Sequence, residues 1–309
     1  MDVCITPSKR YEGLFLVATT DFFYPLCEDP YLQGQVACAN VLSDMYAQGI
    51  TNIDNVLMIL GVSDQMPPDE RFIATHLMMK GFADLVHYAG GKVTGGQTII
   101  NSWPILGGCA KSIGKECDFI RPDQGLAGDV LILTKPLGTQ PAAFMRDWSK
   151  VPCKWERAAP HLTLKELDRA FKVACASMAR LNLNAAILMH KYKAHSGTDI
   201  TGFGLMGDSN KLAHETADKV ELIFHTLPII KDMAKLDKPF PFFKLLKGFA
   251  PETSGALLIM IPAENADAFC RELEEMDGWP CFQVGHAIKR TTGDKNFARI
   301  VENPTIIEV

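Results

Sequence analysis

Apolar residues in this chain come in short runs. They are bounded by glycine, proline and acidic turns, and stretches of helical periodicity separate them. Val56-Leu57-Met58-Ile59-Leu60-Gly61-Val62 is the clearest run, and it has the length of a strand, not of a membrane span. Leu14 to Ala18 reads as a short buried strand leading into Thr19-Thr20-Asp21. Residues 31–48 read as a helix behind the turn Glu28-Asp29-Pro30, and Asn55 to Gly61 as the next strand. Pro67-Pro68-Asp69-Glu70 opens a helix to about Tyr88, with proline and acids where a helix start accepts them. A strand is expected over Pro104 to Lys111. Pro122-Asp123-Gln124-Gly125 is the best internal boundary, which divides the chain into residues 1–124 and 125–309. Beyond it the pattern predicts a strand over Asp129 to Thr134, one or more helices over 163–191, and strands at Lys219–Phe224 and Ala256–Met260. A helix over Pro262–Asp277 and a strand over Phe282–Ile288 complete it. Interleaved strands and helices of this kind make layered α/β and α+β domains.

Composition narrows the function. The 309 residues are 47% hydrophobic and 22% charged, which suits two globular domains with ample core. A net charge of -5 and a pI near 5.9 argue against a nucleic-acid partner, which calls for a basic face. No membrane span or signal-like segment is read, so the cytoplasm is the default location. The nine cysteines are odd in number and form no C-x-x-C, which reads as reduced, mostly buried thiols and not a zinc site.

Four aspartates stand at expected turns and element ends: Asp2, Asp21, Asp44 and Asp199. Carboxylates scattered in this way suit Mg²⁺ held against a polyphosphate, because each ion keeps several waters and takes one or two carboxylates. Asn40 lies four residues before Asp44, on the same helix face. Thr94-Gly95-Gly96-Gln97-Thr98 reads either as a plain turn or as a turn that cradles phosphates with backbone N–H groups. Singly, Asp21 is equally a turn residue, Asp44 a solvated helix acid and Asp199 a helix cap. Gly202-Phe203-Gly204-Leu205-Met206-Gly207 matches G-x-G-x-x-G, but it follows the polar stretch His195 to Asp199, not an apolar strand, so a dinucleotide site is disfavoured. There is no P-loop. Cys4 reads as a small core residue, His195 as structural, and Lys135 and Thr139 as a surface turn.

Taken together, the blocks resemble selenophosphate synthetase, most closely its eukaryotic members. The blocks are Met1-Asp2, Thr19 to Asp21, Ala37 to Asp44, Thr94 to Thr98, Leu133 to Gln140, Thr198 to Gly204 and Pro251 to Gly255. The resemblance implies a two-domain fold of the aminoimidazole-ribonucleotide-synthetase type, an α/β domain followed by an α+β domain, with the first domains pairing into a homodimer. It implies formation of selenophosphate from selenide, ATP and water, with release of AMP and orthophosphate. Asp2, Asp44 and Asp199 would hold Mg²⁺. Met1, Asp2, Asp21, Asn40, Asp44, Gly95, Gly96, Gln97 and Thr98 would contact the nucleotide. It also implies a cysteine or selenocysteine and then a lysine ahead of the Met-Asp block, so no catalytic residue is expected within residues 1–309. The expectation is that this chain alone folds and dimerises but makes little selenophosphate. The alternative is a non-catalytic nucleotide-binding protein with a regulatory role. Another synthetase of the same fold, acting on a ribonucleotide or on thiamine phosphate, is disfavoured by the wording of Thr94–Thr98 and Thr198–Gly204.

Overall fold

Two mixed β-sheets and eight α-helices make up the described part of the computed structural model, residues 3–291 and 293–309. Met1 and Asp2 lie outside it. The first part runs β1 (Cys4–Pro7), β2 (Phe15–Phe23), α1 (Pro30–Ala47), β3 (Asn55–Ser63), α2 (Pro68–Tyr88), β4 (Val93–Asn101) and β5 (Ile105–Gly114). Two short 3₁₀ turns, Glu116–Asp118 and Pro122–Gln124, lead onward. There follow β6 (Val130–Leu133), α3 (Thr139–Trp148), α4 (Pro152–Ala158), α5 (Leu164–Ala179), α6 (Leu183–Lys191), β7 (Ser196–Asp199) and α7 (Gly204–Glu215). The chain ends with β8 (Val220–Ile229), β9 (Leu257–Ile261), α8 (Ala263–Asp277), β10 (Phe282–Lys289) and β11 (Phe297–Glu308).

The first sheet has the order β1-β2-β5-β3-β4 and the second β11-β8-β10-β6-β9-β7. The pairs β3/β4 and β8/β11 are parallel, and the others are antiparallel. Between the sheets lies α1. Its start is fixed by Asp29, whose Oδ1 accepts from Tyr31 N at 2.8 Å and Leu32 N at 3.1 Å, with Pro30 at the first helical position. Thirteen of its eighteen residues are buried. It packs on α2, β2 and β5 on one side and reaches α5, α6, β7 and β9 on the other. A helix apolar on nearly every face belongs inside a protein. Val36 joins the core beneath the second sheet, while Val41, Leu42 and Met45 join the core beneath the first.

Several expected features take another form. Strand β2 does not stop before Thr19-Thr20-Asp21 but carries all three. Thr94 to Thr98 is no turn: it is the middle of β4, an edge strand exposed along both faces. The segment Thr94 to Thr98 is exposed and has no apolar side chain, so it lacks the apolar signature of a strand. Ser196 to Asp199, read as a polar stretch and not an apolar strand, is a fully buried strand. Space is tight at Gly197, where a Cβ would sit 3.1 Å from the carbonyl oxygen of Ala47 in α1. Lys135 and Thr139 are buried, not on the surface. Helices α3 and α4 and strand β11 were not anticipated. Of the cysteines, Cys4, Cys117 and Cys153 are exposed, and Cys38 and Cys175 alone are buried, which corrects the reading of mostly buried thiols.

Helices α1 and α2 touch backbone to backbone at two glycines. A Cβ on Gly34 would lie 2.1 Å from Met78 O, and one on Gly81 1.9 Å from Tyr31 O. Gly81→Ala should therefore force the helices apart and cost about 1–3 kcal/mol of stability, the usual range for overpacking. Denaturant unfolding measures this, and an unchanged midpoint would show that the contact is not a constraint.

Candidate phosphate-binding site

A polar pocket of about 500 Å³ opens where β1, β2, α1 and α7 meet, and Cys4, Thr19, Thr20, Asp21, Asp44 and Thr201 line it. On β2, Thr19 and Asp21 alternate onto the face covered by α1. On α1, Asn40 and Asp44 stand one turn apart and meet that same face of β2. The Thr19 hydroxyl donates to Asp44 Oδ2 at 2.5 Å, and the Asn40 amide donates to Asp21 Oδ2 at 3.2 Å. Each carboxylate is thus oriented by a neutral donor on the facing element. That rules out the readings of Asp21 as a turn residue and Asp44 as a solvated helix acid. Cys4 is extended, exposed and at the pocket wall, contrary to its reading as core.

Asn40 also reaches the turn that leads into β9 of the second sheet. Its Oδ1 accepts from Ser254 N at 2.7 Å. Ser254 adopts φ +45°, a left-handed conformation that non-glycine residues seldom take, so its surroundings must hold it. They do. Lys135, with no exposed surface, donates from Nζ to Ser254 O at 2.7 Å and Arg180 O at 2.7 Å. Burial holds its pKa well below the usual lysine value, and the Arg180 charge pushes the same way. Two residues before Ser254, the buried Glu252 carboxylate accepts from Gly138 N at 2.7 Å, Thr139 N at 2.9 Å and the Thr139 hydroxyl. These N–H groups open α3, so the carboxylate sits at the positive end of that helix. Gly255 completes the turn, because a Cβ there would lie 2.1 Å from Ile200 O. Sequence blocks more than a hundred residues apart therefore lock together behind Asn40.

Asp199 ends β7, buried, two residues before Thr201 of the pocket wall. It does not cap α7, whose N-cap is Phe203. Asp208 in the first turns of α7 accepts from Thr201 N at 2.9 Å and ties that loop to the helix. Lys211 of α7, unremarked in the sequence, also lines the pocket. The spacing 204, 208, 211 on one helix face was the signal that could have found it. His195 is structural, with Nδ1 2.8 Å from Asp129 Oδ1.

Gly95 to Thr98 do not reach this pocket within the chain. Gly96 aligns with Met58, Met58 with Gly108, and Gly108 with Asp21, on one line across the sheet. Three strand spacings separate Gly96 from Asp21, about 14 Å. Among the described residues no group of three or more His, Cys, Asp or Glu forms a metal cluster. The carboxylate of Asp44 in the pocket wall, with Asp199 two residues before Thr201 of that wall, nonetheless fits Mg²⁺, which takes few protein ligands. A second cleft of about 510 Å³ is largely apolar, with Ile5, Phe15 and Phe119 in its wall. Its Arg121 is already paired with Asp123 at 2.7 Å, so it is a poorer phosphate site.

Comparison with known proteins agrees with this architecture. Residues 4–111 match the N-terminal domain of AIR synthase related proteins, and residues 127–295 match their C-terminal domain. The chain is 48% identical over 312 aligned residues to mouse (Mus musculus) selenide, water dikinase 2, covering 100% of this chain and 68% of that one. It belongs to the selenide, water dikinase family. Selenide, water dikinase of Dictyostelium discoideum is 46% identical over 310 residues, with 99% of this chain and 85% of that one covered. AaThiL, solved with AMPPCP and TMP, shares the fold at TM-score 0.70 and 17% identity, covering 98% of this chain and 89% of that one. The selenide, water dikinases are kinase-type enzymes, and the two sheets with their helices are the AIR-synthase-like fold expected from the sequence. Among the described residues no helix is long and apolar enough to cross a membrane.

The buried Glu252 gives the site a pH signature. Burial pushes its carboxyl from an ordinary 4.5 up to about 7, against the pull of its three donors. The folded protein then holds a proton that the unfolded chain has released, so the contribution of Glu252 to stability is full below about pH 4.5 and is lost as pH rises through about 7. Glu252→Gln should remove that slope from unfolding free energies measured between pH 5 and 8. An unaltered slope would assign it to another group.

Proposed function

We propose that this chain acts in the Mg²⁺-dependent conversion of selenide, ATP and water to selenophosphate, AMP and orthophosphate, and that the pocket between β2, α1 and α7 receives the nucleotide phosphates. The observation that carries this is the convergence of Asp21 and Asp44 on one polar pocket, each aimed by its own hydrogen-bond donor. High identity to selenide, water dikinases over the whole chain supports the choice of selenide as substrate.

In this reading Asp44 and Asp199, with Asp2 beyond the described residues, are the metal ligands, and Met1 is a further nucleotide contact. Bound Mg²⁺ would neutralise polyphosphate charge as it shifts in the transition state. Thr19 keeps Asp44 turned into the pocket, and Asn40 does the same for Asp21. Thr201 adds a hydroxyl for phosphate oxygens. Residues 1–124 form the nucleotide-binding unit and 125–309 the unit that backs it.

We further propose a homodimer. The face of the first sheet away from α1 is open, and Leu16, Phe22, Ile99 and Ile113 share it by register, each more than half exposed. An apolar face of this kind marks an association surface. A second copy on it offers the nucleotide the Gly95–Thr98 strand that one chain keeps about 14 Å from its own Asp21.

The test is calorimetric binding of ATP with Mg²⁺, followed by AMP release on adding selenide. Asp44→Asn should abolish Mg²⁺-dependent binding. Thr19→Val, which removes only the donor to Asp44, should weaken it ~10–100-fold, the usual cost of losing a group that orients a metal ligand. Full binding by Asp44→Asn would refute the site assignment. Binding without AMP release by the full-length protein would favour a regulatory nucleotide-binding role. Phe22→Glu should yield a monomer by sedimentation with weakened ATP binding, and a persistent dimer would move the interface elsewhere.

A further inference from the structure

We infer that Lys211 is a phosphate-contacting residue of this pocket, donating its ammonium to the nucleotide's phosphate chain. The inference rests on the nucleotide reading above and adds to it the cation that the wall of Asp, Thr and Cys side chains otherwise lacks.

Placement comes from α7. Its first turn is tied down by Asp208, which accepts from the N–H of Thr201 at 2.9 Å. Lys211 follows Asp208 by three residues, so it rises from the same face of the helix one turn further along. That face looks onto Thr201 and the pocket, and Lys211 is half-buried in the same wall as Asp21 and Asp44.

Charge supplies the reason. Two carboxylates and a polyphosphate in one pocket repel, and a divalent ion bridging them offsets only part of the charge. A lysine is a compact positive charge with three donors on a flexible stem, well suited to reach a phosphate oxygen beside such an ion. The other lysine near the site cannot do this. Lys135 is sealed from solvent and held by the carbonyls of Ser254 and Arg180. Thr19, Thr20 and Thr201 are neutral. Lys211 therefore also gives a charge-based preference for nucleotides with longer phosphate chains.

The experiment titrates the purified protein with Mg²⁺ plus ATP, and separately with AMP, using wild type, Lys211→Ala, Lys211→Glu and Lys211→Arg. Unfolding midpoints confirm that each variant is folded. The expected result is an ATP affinity about tenfold or more weaker for Lys211→Ala, weaker still for Lys211→Glu, and close to wild type for Lys211→Arg. AMP affinity should fall less than ATP affinity. Equal ATP binding by wild type and Lys211→Ala overturns the inference and leaves the nucleotide site standing. So does equal weakening by Ala and Arg, which would mark a packing role. Failure of the wild type itself to bind ATP refutes the nucleotide reading and the Lys211 inference with it.

Discussion

A helix without a solvent face organises this protein. Burying α1 removes its apolar residues from water on both sides, which ties two sheets to a single rod. The same burial dictates what its polar residues can do. Asn40 and Gln33 cannot turn to solvent, and an unmatched polar group inside costs more than a hydrogen bond returns. Gln33 meets Leu26 N and Cys27 N, and Asn40 meets Asp21 and Ser254. The pocket forms where this enclosed rod emerges far enough for Asp44 to face a cavity and not a core.

Behind the pocket stands a set of buried ionic groups that a protein built for stability alone would avoid. Lys135 and Glu252 are enclosed, and Arg180 and Asp277 form a nearly enclosed pair at 2.7 Å. Each is costly to desolvate, and hydrophobic replacements of the same volume are often as stable. What they provide is fixed geometry. Lys135 has carbonyl acceptors, Glu252 has the N-terminus of α3, and Arg180 reaches both Asp277 and Thr134 O. With those contacts in place, the 252–255 turn holds a strained serine in register with a helix on the far side of the core.

Much of the architecture was legible in the chain. Buried strands β3, β6 and β9 are apolar runs, and α1, α2 and α8 carry their proline and acid signals. Asn40 and Asp44 were paired by simple helical spacing. What stayed hidden did so for physical reasons. Strand β4 exposes both faces, and its middle, Thr94 to Thr98, carries no apolar side chain. Strand β7 is buried yet built of Ser, Gly, Thr and Asp, and α1 passes close to it at Gly197, where a Cβ would lie 3.1 Å from Ala47 O. Lys135 looked like a surface residue because burial of an ammonium depends on carbonyls contributed from positions 180 and 254, which no local window contains. Lys211 carries a weak local signal in its spacing from Gly204 and Asp208, but its neighbours in the pocket come from other elements.

Asn40 has one further property. Its two amide atoms serve opposite partners: the nitrogen gives a proton to a carboxylate, and the oxygen receives one from a backbone N–H. Rotating the amide by half a turn would set oxygen against Asp21 and nitrogen against Ser254 N, and both contacts would repel. The side chain therefore has one usable polarity. Neither a charged acid of identical shape nor a hydroxyl could reproduce it, so the two sheets communicate through a group whose direction is built in and whose charge no cellular pH can change.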